Sequence, residues 1–219
     1  MIGQTDAVKR PVCSGCLRPQ RTCICRWITP TEHAVEVLIL QHPLEVAHAK
    51  GSAQLLRLSL PQSRLVVGEV FAEQVLRELL YAPFPHRRDC KAFPIQPILL
   101  YPPTPDGKST GIAEPPALDE AILRAPERIR LVILDGTWRK SRKMLYSNPL
   151  LQELSRLPLQ QMPASQYTIR KAHAPDQLST LEACCHALMR LEGNEDRFQP
   201  LLEAFKGFVV QQSSYANAH

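Results

Sequence analysis

No G-x-G-x-x-G loop occurs anywhere in this chain of 219 residues. A nucleotide cofactor is therefore not bound here in the usual Rossmann manner, where that loop brings backbone N–H groups against a pyrophosphate. Long apolar stretches are missing too. The opening residues, MIGQTDAVKR, carry none, so no secretory signal is expected. Apolar runs such as 35–40 and 131–134 have the length of strands and are far too short to span a bilayer. There is no internal repeat and no strong charge imbalance: 26 Lys and Arg face 21 Asp and Glu, giving +5. That excess suits an anionic partner without requiring one. With 44% hydrophobic residues, disorder is not expected. These absences leave a cytoplasmic globular chain of one large domain, or one domain with a small appendage, and no role in a membrane.

What is present begins with cysteine. Four of the seven crowd between positions 13 and 25, as Cys13-Ser-Gly-Cys16 and Cys23-Ile-Cys25. In a cytosolic chain such crowding favours a metal over disulfides. Four thiolates complete a tetrahedral Zn²⁺ site and leave no open position for substrate, so the metal reads as structural. The Cys-x-Cys pair is tighter than usual spacing, and four reduced thiols in a turn is the alternative. Arg18 and Arg21, close to this knuckle, are candidate phosphate contacts. Cys90, Cys184 and Cys185 have no assigned chemistry, and core packing suits the last two.

After the knuckle, short β-branched or Leu-rich runs at 35–40, 64–67, 98–100 and 131–134 predict strands covered on both faces, with 157–160 a further candidate. Between them, 53–60, 72–80, 118–123, 138–145, 178–191 and 197–210 place apolar residues at helical spacing. The alternation predicts an α/β fold with a mainly parallel sheet. Segments 81–97 and 101–116 hold nine of the 20 prolines and read as long surface loops.

Three blocks carry candidate chemistry. Gln41-His42-Pro43-Leu44-Glu45-Val46-Ala47-His48 follows a predicted strand, where side chains line the ligand crevice of α/β sheets. His42 and His48 are candidate RNA contacts, with local backbone satisfaction as the alternative. In the second block, Asp135-Gly136-Thr137-Trp138-Arg139-Lys140-Ser141-Arg142-Lys143, a strand runs into a turn and a helix. Asp135 and Thr137 can cap that helix. Trp138 has no capping purpose and suits stacking on a base, while Arg139, Lys140 and Lys143 form a basic stripe fit for an RNA backbone or for solvent. The third block, Ser165-Gln-Tyr167-Thr-Ile-Arg170-Lys171, precedes Ser179-Thr-Leu-Glu182, the capping box of a helix.

Together, the four cysteines, QHPLEVAH, LDGTWRKSRKM, SQYTIRK and STLEA resemble the DTW-domain family, whose naming motif Asp-x-Thr-Trp is Asp135-Gly136-Thr137-Trp138 here. The resemblance runs from about Cys13 to beyond Glu182. It implies a tRNA-uridine aminocarboxypropyltransferase that uses S-adenosylmethionine, acting on a uridine of the tRNA variable loop in bacterial relatives. It also implies a SPOUT-like sheet with a C-terminal trefoil knot. The expected organisation is a tail and zinc knuckle over 1–30 and a catalytic domain over 31–211. Asp135, Thr137 and Trp138 are the expected catalytic residues. Tyr101, Pro102, Asp135, Gly136, Ser165, Tyr167 and Arg170 are expected at the donor, and Lys171 joins the RNA contacts. A methyltransferase with the same donor and a zinc-knuckle RNA-binding protein without catalysis are the alternatives; no obligate protein partner is implied.

Overall fold

The computed structural model describes residues 11–46, 48, 51–84, 94–103, 114–159 and 178–216. Five strands, β1 Glu36–Gln41, β2 Ser63–Val67, β3 Gln96–Leu100, β4 Ile129–Asp135 and β5 Arg156–Leu157, form one sheet in the order β2-β1-β4-β3-β5. Every pairing is parallel. The helices are α1 Ala53–Ser59, α2 Glu73–Tyr81, α3 Trp138–Ser147, α4 Pro149–Gln152, α5 Thr180–Glu192 and α6 Gln199–Ala216.

Side chains alternate between the faces of a strand, and here each face has its own core. Val37 and Ile39 of β1 join Leu131 and Ile133 of β4 beneath α1, α5 and α6. Leu38, Leu40, Val132 and Leu134 face the other way, onto α2, α3 and α4. Both faces being covered, β1 and β4 each carry a continuous apolar run, 37–40 and 131–134, and are buried throughout. Cys184 and Cys185 lie fully buried in the first of these cores.

Three local expectations change. Segment 118–123 forms no α-helix: 3-10 turns occupy Ile122–Arg124 and Pro126–Arg128. Its apolar residues do pack on the core, but six residues bounded by Pro126 are too few to sustain helical hydrogen bonding. Gln96 and Pro97 belong to β3 rather than to the preceding loop. Proline is tolerated there because β5 pairs with β3 only at Leu99 and Leu100, leaving no ladder for Pro97 to break on that side. The last candidate strand is shorter than 157–160, since β5 ends at Leu157. The segment 160–177, which would carry the expected knot and includes Ser165, Tyr167, Arg170 and Lys171, lies outside the described residues.

At the amino end of the sheet, His33 is buried. Its Nδ1 donates to the Val35 carbonyl over 2.6 Å, and its Nε2 accepts from the Gln62 N–H at 3.2 Å. Burial pushes its pKa below the ordinary 6.5. As pH falls through 6.5, the unfolded chain takes up the proton first, so stability present above that value is lost toward the lower folded value. Urea midpoints at pH 7.5 and 5.5 are expected to diverge less in His33→Gln than in the wild type; equal divergence would refute the assignment.

Candidate functional site

Neighbouring strands β1 and β4 send their chains in opposite directions. After β1 the chain crosses by α1 to β2 on one side, and after β4 it crosses by α3 and α4, on the other face, to β5. Such a divergence opens a crevice at the carboxyl ends of the two strands. Gln41 and Asp135 stand opposite each other there.

Asp135 shares its parity with Leu131 and Ile133, so its side chain faces α5 and not α3. This corrects the expectation that Asp135 caps α3: Thr137 alone does so, accepting from the Lys140 N–H at 3.4 Å. The Asp135 carboxylate instead accepts from Gln41 Nε2 at 2.9 Å on one oxygen and from Thr180 Oγ1 at 2.6 Å on the other. Thr180 opens α5 directly after Ser179, whose capping box with Glu182 is formed in full. Asp135 is 5% exposed. Gly136 threads the turn tightly, since a Cβ there would meet Lys140 Cβ at 3.1 Å and His42 Cβ at 3.7 Å.

Trp138 is 52% exposed and stacks on Tyr101, with ring centroids 5.2 Å apart and an interplanar angle of 15°. Tyr101 is in turn faced by the Arg156 guanidinium at 5.4 Å, and Arg156 also donates to the Pro102 carbonyl at 3.4 Å. Burial raises the Tyr101 phenol above its ordinary pKa. Loops after β3 and β4 therefore join in one aromatic platform, and the indole is its exposed member.

The basic stripe of α3 divides. Lys140 Nζ lies 2.8 Å from Glu45, a carboxylate only 3% exposed, and Lys143 Nζ lies 2.8 Å from Glu69. Glu69 also accepts from His42 Nε2 at 2.6 Å, while His42 Nδ1 takes the Leu44 N–H. Lys143, and then His42, hold the Glu69 carboxyl below the usual carboxylate range. Asn148 supports the same loop, donating to the Glu69 carbonyl and accepting from the Phe71 N–H, both at 2.9 Å. Arg139 and Arg142 are exposed, as is His48. Gln41, Glu45 and Thr180 lie within the blocks QHPLEVAH and STLEA but carried no expected role, and Glu69 and Asn148 lie outside every such block. A polar residue ending an apolar strand (Gln41), or just after a strand and a glycine (Glu69), was the available signal.

The four cysteines of the knuckle converge, with all ligand atoms within 4.8 Å of one another. Sγ atoms of Cys13 and Cys25 are 3.6 Å apart, those of Cys16 and Cys23 3.8 Å, and those of Cys13 and Cys23 3.5 Å. A tetrahedral ion with metal–sulfur bonds of about 2.3 Å needs edges of about 3.8 Å, so the donor set fits one. N–H groups of Cys16 and Gly15 lower the Cys13 thiol to about 6, whereas burial pushes Cys25 up to about 12. Arg18 leaves the knuckle to donate to the Gly51 carbonyl at 2.8 Å, and Arg21 is exposed, its carbonyl accepting from Tyr215 at 2.6 Å.

The chain matches the DTW domain over residues 10–213. It is similar to the tRNA-uridine aminocarboxypropyltransferase 2 of Macaca fascicularis, 31% identical over 217 residues, covering 95% of this chain and 66% of that protein. The protein of the same name from Mus musculus is 32% identical, with the same coverage. The tRNA-uridine aminocarboxypropyltransferase A of Arabidopsis thaliana is 26% identical over 229 residues, 94% of this chain and 83% of that protein. The chain thus spans just under two thirds of the first two relatives. No solved structure gives a significant match.

Proposed function

This chain belongs to the DTW-domain family, and on that premise we propose that it transfers the 3-amino-3-carboxypropyl group of S-adenosylmethionine to N3 of a tRNA uridine. The observation that carries this reading is the seating of the family's motif, Asp135-Gly136-Thr137-Trp138, at the β1/β4 crevice, beside the Tyr101 platform. A variable-loop uridine is the proposed target, and a knotted, SPOUT-like arrangement the proposed fold.

In the reaction a bond forms between N3 and the γ-carbon of the donor, the carbon–sulfur bond breaks, and its electron pair neutralises the sulfonium. Methylthioadenosine leaves, and the N3 proton is released. The carbon is already activated, so the protein's task is alignment and care of that proton. Asp135 is the proposed group facing N3–H, Thr137 and Gly136 shape the turn, and the open face of Trp138 stacks on a base. Tyr101, Pro102, Ser165, Tyr167 and Arg170 are the proposed donor contacts. Arg139, Lys143 and Lys171, with His48 and Arg21, are proposed to meet RNA phosphate. Zinc is the proposed occupant of the four cysteines, holding the knuckle in shape and taking no part in the transfer.

Unmodified tRNA and S-adenosylmethionine incubated with the protein should yield aminocarboxypropyluridine and methylthioadenosine by mass analysis. Asp135→Asn should reduce turnover by about 10²–10⁴-fold. A methylated nucleoside with S-adenosylhomocysteine would replace the reaction by methyl transfer. No product across varied tRNAs would leave an RNA-binding module.

A further inference from the structure

The Asp135 carboxylate is held by two side chains, those of Gln41 and Thr180, to which the sequence alone assigns no role. Gln41 lies 94 positions before it and Thr180 45 positions after it, and each donates to a different oxygen, Oδ2 and Oδ1. Both donors are themselves anchored. Gln41 is buried at the end of β1, in register with Asp135. Thr180 begins α5, and the next N–H, that of Leu181, donates to Ser52 Oγ at 3.4 Å. The His42 N–H closes the arrangement from the backbone, donating to the Asp135 carbonyl at 2.9 Å.

We propose that Gln41 and Thr180 are positioning residues for the transfer, fixing the Asp135 carboxylate in one orientation at the crevice. The inference rests on the transferase reading above. A carboxylate can be turned by rotation about its terminal torsion, which is broad and roughly two-fold, so two donors on opposite oxygens are what a single orientation requires. Asp135 so held is a fixed acceptor, oriented toward an N–H of the bound acceptor base so that the base is aligned for in-line attack, while the released proton passes on to water. A base free to swing would lose that alignment, and small misplacements at a reacting centre are costly in rate.

Thr180→Val keeps the shape of the side chain and removes only the hydroxyl. In the full-length protein with tRNA and S-adenosylmethionine, it is expected to lower kcat by roughly 10–100-fold, with KM for tRNA unchanged, while Thr180→Ser restores most of the rate. Gln41→Met is expected to act in the same direction, and serves should Thr180→Val fail to fold. Melting temperatures measured alongside separate the roles: a clasp that is merely structural would lower the melting temperature and leave kcat intact below it. Wild-type kcat in folded Thr180→Val or Gln41→Met, or a Thr180→Ser protein no better than Thr180→Val, overturns the proposal. If the wild type itself makes no aminocarboxypropyluridine, it is the transferase reading that has failed.

Discussion

Stripping metal from the knuckle with a chelator is expected to lower the melting temperature by about 8–16 °C. With free zinc 1,000-fold above its dissociation constant, binding adds about 4 kcal/mol to stability. For a chain of this size each kcal/mol moves the midpoint by about 2–4 °C. The knuckle is a joint between the two ends of the chain, and that is why the effect is global. Cys16 and Ile24 are buried in the main core, with Trp27 packed against it. Gln211 of α6 bonds both the Trp27 indole and the Cys23 carbonyl, and a Cβ on Gly207 would overlap the Trp27 ring. Arg18 runs from the knuckle to Gly51 and lies over Phe208. Losing the ion therefore loosens α6 as well as residues 13–25, and hydrogen exchange should quicken in both. Cys16→Ser should reproduce the chelated state. A chelated protein that releases no zinc and melts at the untreated temperature would mean that no metal holds the knuckle.

The second large effect is expected from Glu36→Ala, a loss of about 3–5 kcal/mol and hence roughly 6–20 °C in melting temperature. Glu36 and Arg130 pair across β1 and β4 under complete burial. Arg130 Nε donates to Glu36 at 2.9 Å, Nη2 reaches the same carboxylate, and the guanidinium also serves the carbonyls of Leu79 and Ala82 at 2.6 and 2.7 Å. The Phe84 ring lies 4.1 Å from Cζ. Removing the carboxylate takes from the buried guanidinium the acceptor that its Nε and Nη2 share, and that loss supplies most of the cost. The double replacement Glu36→Leu with Arg130→Met should recover much of it, since both desolvated charges then disappear together. A Glu36→Ala midpoint within about 2 °C of the wild type would mean that water reaches the pair.

Much of the fold was legible in the sequence because its strands are buried on both faces. Such strands are rich in Val, Ile and Leu, and the runs at 35–40 and 131–134 overlap β1 and β4, with Glu36 and Arg130 the charged exceptions. Capping is equally local: Ser179 and Glu182 are three residues apart and form the expected box. The cysteine cluster was legible for the same reason, its four sulfurs falling within 13 residues of chain. The first turn of α3 was only half legible. Asp135 and Thr137 are both good caps on paper, but strand parity turns one toward α5 and leaves the other at the helix.

Most strands and helices, the Ser179 capping box and the cysteine cluster follow from residues a few positions apart, although 118–123 shows that helical spacing alone does not make a helix. The strand order β2-β1-β4-β3-β5, and with it the long-range partnerships of the candidate site, exists only in the packed fold. Gln41 meets Asp135 because β1 happens to lie beside β4; Lys140 meets Glu45 across 95 positions for the same reason. No periodicity or spacing encodes such a meeting, because it is set by how whole elements pack, and a residue's own neighbours in the chain carry no trace of it.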